Sequence, residues 1–251
     1  MKEEIYRRLA EHLDNLPDRF APSETGAELR LLERLFTPEE AELATHLTLD
    51  REEARAIAER ADLPVAEAEQ RLHEMAHKGL IFSVESEGSP ALYQAAPFGV
   101  GIYDFQVNNL SEGLLHDLDD YWNTQKQEPR PQTIRQVRTI PIRESIERHL
   151  EVLPYEQVEE LIKTRDRCAV APCICRRRAT LMGEGCDAPR ETCLMFNEWA
   201  DYYVRDGRGR YIDQSEVMEI LAKADAANLV LQPSNSKDIA FLCCCCGCCC
   251  A

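Results

Sequence analysis

All twelve cysteines of this 251-residue chain lie after residue 167, and seven of them crowd into the eight residues from Cys243 to Cys250. A chain stapled by disulfides is small, secreted and dense in cysteine throughout, and this one is none of these. Neighbouring cysteines also make poor bridge partners, because a disulfide needs Cα atoms about 5.5 Å apart with facing Cβ vectors. Thiolate ligation of a soft metal explains the crowding better. Side chains alternate sides along an extended stretch, so seven neighbours cannot all face one centre. Some must ligate, while others support the ligands, serve another centre or stand by. Gly247 is expected to relieve the backbone where the run turns sharply.

The remaining cysteines form a looser block. Cys173-Ile174-Cys175 precedes Arg176, Arg177 and Arg178; Gly185-Cys186 and Cys193 follow, and Cys168 stands ahead of them all. Loops near glycine and proline can bend thiols toward one point, and a cubane usually takes four. No histidine follows His149, which disfavours a mixed Cys/His zinc site. A zinc site made of four cysteines shares the spacing of an iron–sulfur site and stays open as the alternative. Cys168 alone reads as a small buried hydrophobe. The three arginines either favour the reduced form of an anionic cluster through their charge or make a solvated turn with ion pairs.

The segment VAPCICRRRATLMGEGCDAPRETCL, followed by a helix, by NLVLQPSN and by a cysteine-rich end, is similar to a group of prokaryotic 4Fe-4S ferredoxin-type proteins. Members often carry a winged-helix-like amino-terminal region. Many continue into a bacterial-type ferredoxin module with Cys-x-x-Cys-x-x-Cys repeats, which these 251 residues do not include. The resemblance covers roughly the last 110 residues well and the rest loosely. It implies redox function through one or two bound 4Fe-4S clusters. Carried over by position, it implies Cys173, Cys175, Cys186, Cys193 and some of the terminal run as metal ligands, and within that run the overlapping Cys-x-x-Cys pairs Cys243/Cys246 and Cys246/Cys249 point to Cys243, Cys246 and Cys249. Cys244, Cys245, Cys248 and Cys250 join them as cofactor-binding candidates, and Cys168 lies outside the motif.

The first 98 residues read differently. Ile5, Leu9, Leu13 and Leu16 put an apolar stripe on a helix over 1–17. The stretch 18–26 carries turn signals and reads as a linker. Thr37, Pro38 and Glu40 make a capping box with proline at the first helical position, and Asp50 with Glu53 is expected to repeat the device. A helix opens after Leu63-Pro64 and ends at Gly79. Strands are expected at Leu80–Val84 and Ala91–Gln94. This order resembles a winged helix-turn-helix, a fold resemblance without a specific motif. Further on, a helix is expected near Leu110–Asn123, a strand over 131–142, a helix from Pro154, a strand over 169–174, a helix near Asn197–Arg205, a helix capped by Asp213 and a strand at Leu229–Leu231.

Several motifs carry no function. His73-Glu74-Met75-Ala76-His77 matches the H-E-x-x-H pattern, but it falls on the presumed recognition helix of a small module without a third ligand. Asp206 to Arg210 is too short for a phosphate loop and reads as a turn. Trp199, Tyr202 and Tyr203 are expected to be core that covers the metal site. The formal net charge of −16 argues against a broad nucleic-acid footprint, and the acidic mix on the presumed recognition helix disfavours DNA as a ligand. The start of the chain has no apolar signal region, and no apolar run reaches the roughly 18 residues of a membrane helix.

The expected fold class is α+β, mostly helical. It comprises a winged-helix-like domain over 1–98, a connecting helix and strand over 99–142 and an irregular cysteine-rich metal-binding domain over 143–251. The expected function is cytoplasmic electron transfer, or a redox subunit, with a redox partner protein. The alternatives are an iron–sulfur sensor acting through the winged helix and a structural adaptor holding zinc on four cysteines.

Overall fold

The computed structural model describes residues 2–17, 19–127, 135–140, 158–236 and 238–250, and the chain divides into two units, residues 1–134 and 135–251. Three helices open the first unit: α1 (Lys2–Asp14), α2 (Ala27–Leu35) and α3 (Pro38–Ala44). Ile5, Leu9 and Leu13 bury the stripe of α1. Thr37 and Glu40 form the reciprocal cap on α3, with Pro38 at its first position. The cap satisfies two N–H groups that a helix start otherwise leaves open.

The second cap does not form. Glu52–Glu53 make a short strand, β1, and α4 (Ala54–Ala61) begins behind it with no side-chain cap. α5 (Val65–Lys78), β2 (Phe82–Val84) and β3 (Leu92–Gln94) follow, with β3 antiparallel to both β1 and β2. Pairing of the Glu52–Glu53 backbone with Leu92 and Tyr93 replaces the local cap. Glu52 is held by Arg60, whose Nη1 and Nη2 each donate to it at 2.7 Å. Gly79, at φ 75°, ends α5 as expected. That helix buries Ala68, Leu72, Met75 and Ala76 and exposes Glu69, His73, Glu74, His77 and Lys78.

α6 (Glu112–Gln127) packs on α2. The described part of the expected connector up to Gln127 therefore belongs to the first unit. The stretch read as a linker supplies core: the ring of Phe20 lies 4.4 Å from that of Phe98 and 4.9 Å from that of Tyr121. Turn residues fix where the backbone bends, and they do not say whether an aromatic between them is covered.

The second unit runs α7 (Val158–Lys163), β4 (Cys168–Pro172), α8 (Ile174–Leu181), β5 (Glu191–Phe196), α9 (Glu198–Arg205), β6 (Arg210–Ile212), α10 (Gln214–Ala226), β7 (Val230–Pro233) and β8 (Phe241–Cys245). The α+β class holds, but the expected irregularity does not. The strands make one antiparallel sheet in the order β6-β4-β5-β8-β7. Cys193 in β5 and three cysteines in β8 act as ordinary strand residues, since a thiol fits a half-buried pleated surface. One core gathers Cys168, Val170, Leu194, Phe196, Leu242 and Cys244 with Val217, Ile220, Leu221 and Ala224 of α10.

Asp213 caps α10 by accepting from the N–H of Glu216 at 2.8 Å. Of the strand expected over 131–142, residues 135–140 form two isolated bridges, Val137 to Ser234 and Ile140 to Leu231, rather than a continuous strand; residues 131–134 and 141–142 lie outside the described residues, as do residues 154–157 of the helix expected from Pro154. Among the described residues no helix is long and apolar enough to cross a membrane.

Candidate metal centre

The terminal cysteine run is sorted by the strand it begins in. Along β8 successive side chains face opposite ways. Cys244 is buried in the core, while Cys243 and Cys245 are half-buried. After Cys245 the strand ends and the chain turns through residues 247–249. That turn brings Cys246, Cys248 and Cys249 to Cys186, which comes from the segment between α8 and β5. The four ligand atoms all lie within 4.8 Å of one another. Sγ–Sγ separations are 4.0 Å for Cys186–Cys246, 3.6 Å for Cys186–Cys249 and 3.7 Å for Cys248–Cys249.

A tetrahedral ion with metal–sulfur bonds of about 2.3 Å sets its sulfurs about 3.8 Å apart. The quartet therefore has the donor set and the spacing for one soft ion. A cubane, which spreads its four thiolates over the corners of a larger cage, needs the turn to open. Cys249 is buried, Cys186 and Cys246 are half-buried, and Cys248 is exposed. Asp187, Ala188, Ala227, Asn228 and Leu229 line an open cleft beside Cys186, Cys246 and Cys248.

Burial pushes the Cys246 thiol up, but hydrogen bonds from the backbone N–H groups of Cys249 and Cys248 and from their thiols outweigh it. The result is a thiol held down at about 6, with the Cys249 N–H 3.4 Å from its sulfur. The hydrogen bonds thus favour its thiolate, the form that ligates metal. Burial and contact with Cys186 push the Cys249 thiol up to about 12. A metal must displace that proton.

Two glycines frame the quartet unequally. A Cβ on Gly185 would lie 2.6 Å from Thr180 Oγ1 and 2.9 Å from Thr180 Cα, so the residue before Cys186 has no room for a side chain. Gly247 differs from the expectation. It is absent from the residues with positive φ, and a Cβ on it would meet nothing within 4 Å. Hydrogen bonds to the Cys246 sulfur, rather than glycine's freedom, shape this turn.

The structure brings three of the narrower set of expected ligands, Cys186, Cys246 and Cys249, into the quartet and adds Cys248 from the wider set. The alternation rule that separates Cys243 and Cys245 from Cys244 applies only until the strand ends, and the sequence does not mark that end. Cys173 and Cys175 stand at the start of α8. Cys175 and burial push the Cys173 thiol up, and Cys243 acts the same way on that of Cys245. Cys193, on β5, has its sulfur 3.6 Å from that of Met195. Cys244, a cofactor-binding candidate by sequence, sits in the core with its thiol pushed up by burial to about 12. Cys168 is buried there too, as expected.

Arg176, the first of the three arginines, is not on a solvated turn: it is 1% exposed. Its Nη1 donates to Pro189 O and Thr192 Oγ1, each at 2.6 Å, and its Nη2 donates to Cys244 O. It also makes a side-chain hydrogen bond with Cys246. Of the aromatic group, Tyr202 and Tyr203 are buried core, as expected. Trp199 packs on Phe241, and Tyr202 packs under the guanidinium groups of Arg205 and Arg208. In comparisons with protein-family models, curated proteins and solved structures, nothing matches this chain.

Proposed function

We propose that the second unit binds a soft metal through Cys186, Cys246, Cys248 and Cys249, that the metal is iron in an iron–sulfur centre, and that the chain serves electron transfer as a carrier or a redox subunit. The convergence of four thiols from two separated stretches of sequence carries this reading. The same unit carries Cys173, Cys175, Cys243, Cys245 and Cys250 as well, more sulfur than a single structural ion uses. An iron–sulfur centre, when bound, supplies a reversible one-electron couple.

The chain's own groups set the conditions for that couple. Backbone N–H groups of Cys248 and Cys249 stabilise the Cys246 thiolate, the Arg176 guanidinium places positive charge against it, and the cleft beside Cys248 keeps one edge of the site open. Hydrogen bonds to sulfur, nearby charge and solvent access are what tune such a site. The partner fitting this reading is a redox protein in the reducing cytoplasm, where free thiols persist.

The 3.6–4.0 Å sulfur separations favour a second reading, one zinc ion in a structural adaptor. The order α3, α4, α5, β2, β3, with β1 on the sheet, supports a winged-helix use of the first unit. The acidic residues on the exposed face of α5 favour protein over DNA as its ligand.

Anaerobic purification followed by assay of iron, acid-labile sulfide and zinc tests the readings. Iron and sulfide in equal amounts, with broad visible absorption, is the expected result. A colourless protein that holds zinc without sulfide, and takes up no iron–sulfur centre on anaerobic reconstitution, would overturn electron transfer in favour of the adaptor.

A further inference from the structure

We propose that Cys186 and Cys249 form a redox switch: hydrogen peroxide joins them as a disulfide, and the quartet then releases its metal. The release rests on the metal-binding reading of the quartet, whereas the bridge stands on the geometry of the two thiols.

The first ground is which pair can close. Cys186 Sγ lies 3.6 Å from Cys249 Sγ and 4.0 Å from Cys246 Sγ, and Cys248 Sγ lies 3.7 Å from Cys249 Sγ. Cys248 and Cys249 are neighbours in sequence. A trans peptide holds such Cα atoms about 3.8 Å apart, under the roughly 4.4 Å at which bridges begin. Cys246 accepts the N–H of Cys249 on its sulfur at 3.4 Å, which holds it within the turn. Cys186 and Cys249 come from separate stretches, the segment between α8 and β5 and the turn after β8, so neither constraint applies to them. A disulfide bond is about 2.05 Å long. Their sulfurs, 3.6 Å apart, therefore have to approach by about 1.5 Å.

The second ground is access. Cys186 is half-buried and lines the open cleft, while Cys249 is buried. A small oxidant in the cleft reaches Cys186, and Cys249 stands within reach to resolve the product. In the loaded site both sulfurs are thiolates. The Cys186 sulfur attacks one peroxide oxygen, the O–O bond breaks, and a sulfenic acid forms as hydroxide leaves. The Cys249 sulfur then attacks the Cys186 sulfur, the S–O bond breaks, and a second hydroxide leaves. Protons from solvent turn both hydroxides into water. Two electrons have passed from the two sulfurs to one peroxide. Cys246 and Cys248 remain, two ligands where a soft ion takes four. The bridge meanwhile ties the segment between α8 and β5 to the turn after β8, so the unit keeps its fold without metal.

The test uses the full chain, reduced, freed of metal, loaded anaerobically with one equivalent of zinc and then given one equivalent of hydrogen peroxide. Cys186 is the one cysteine between Arg178 and Arg190, so a tryptic digest shows whether its peptide is joined to the terminal one. The expected result is that link, with zinc passing to an indicator dye in equal amount and both changes reversed by a thiol reductant. In metal-free protein C249S should abolish the link and C248S should keep it, with circular dichroism confirming each fold. If C249S does not fold, fragmentation of the linked wild-type peptide identifies the terminal cysteine instead. Cys186 left free for alkylation, or joined to a cysteine other than Cys249, would overturn the switch. So would a bridge that forms while zinc stays bound. A reduced chain that takes up no zinc would overturn the metal-binding reading instead, and the peptide map of the same sample still decides the bridge.

Discussion

Asp117 in the first unit and Arg176 in the second are both buried charges, and they are satisfied in different ways. Asp117, 4% exposed on α6, accepts from Arg34 Nε at 2.7 Å and from Arg30 Nε at 3.4 Å. Both arginines come from α2, so the pairing also ties two packed helices together. Arg176 is buried more deeply, and among the described residues it bonds carbonyls, a hydroxyl and sulfur. The first unit balances its buried charge with its own side chains. The second sets thiols where the first sets carboxylate and guanidinium, and of the thiols acting on Arg176 only Cys246 is held down. On the metal-binding reading proposed above, the difference separates a self-sufficient fold from one whose stability would be linked to a guest.

The largest effect that would sharpen this contrast is metal removal. Metal binding to a thiolate site is also folding free energy, on the order of 10 kcal/mol for small zinc domains. Calorimetry of the full chain with and without an anaerobic chelator should show one unfolding transition that falls steeply and another, from the first unit, that holds its temperature. Two transitions that move together would break the comparison.

Next in size is Arg176→Met. In metal-loaded protein the substitution removes the counter-charge of buried thiolates and should cost about 3–5 kcal/mol, as breaking a buried ion pair does. In metal-free protein Cys246 is the one thiol acting on Arg176 that is held down, so the loss should shrink. Denaturant unfolding of both forms reads the difference. Equal losses with and without metal would assign Arg176 a packing role alone.

Asp206 tests whether the second unit also has a self-sufficient part. Its carboxylate is 2% exposed and takes Arg208 Nη1 at 2.6 Å and Arg205 Nη2 at 2.9 Å. Asp206→Asn should cost about 2–4 kcal/mol whether or not metal is bound. Burial pushes this carboxyl up, and the two guanidinium groups more than offset it, holding it below the usual carboxylate range. The folded value being depressed, the stabilisation is complete above the unfolded value of about 3.9 and is lost as pH falls through the folded one. Acid unfolding of the wild type should therefore show a component absent from Asp206→Asn. Asp117→Asn should cost less, about 1–3 kcal/mol, because Arg30 and Arg34 are half-exposed and return to water. That loss too should be indifferent to metal.

Much of this organisation is legible in the residues. The Thr37 cap, the Gly79 stop, the Asp213 cap and the burial of Cys168 all follow from local chemistry that a few neighbours decide. Asp50 misleads because a strand pairing from forty residues away takes over Glu52 and Glu53. The sheet of the second unit is hidden because its cysteines read as ligands, while β5 and β8 use them as half-buried strand residues. Alternation along an extended run foretells that the seven terminal cysteines divide. Which cysteine goes to which group depends on where β8 ends, and that is set by its pairing with β7 down to Cys245 opposite Val230. Cys186 reaches the quartet only through the three-dimensional fold; the crowded Gly185 beside it marks a close approach to Thr180.

The smallest effect tests how the quartet's turn is held. Gly185 and Gly247 each adjoin a quartet cysteine, yet only the first is confined. Gly185→Ala drives a methyl into the backbone and hydroxyl of Thr180, and it should displace Cys186 and weaken metal retention. Gly247→Ala places its methyl in open space at a φ that other residues adopt. By narrowing the unfolded chain's freedom, it should raise stability by about 0.4–1 kcal/mol with metal content unchanged. If Gly247→Ala instead loses metal, the turn must adopt in the loaded protein a conformation that only glycine reaches. That would mean the 3.6–4.0 Å quartet opens on binding, as a cubane requires and a single ion does not.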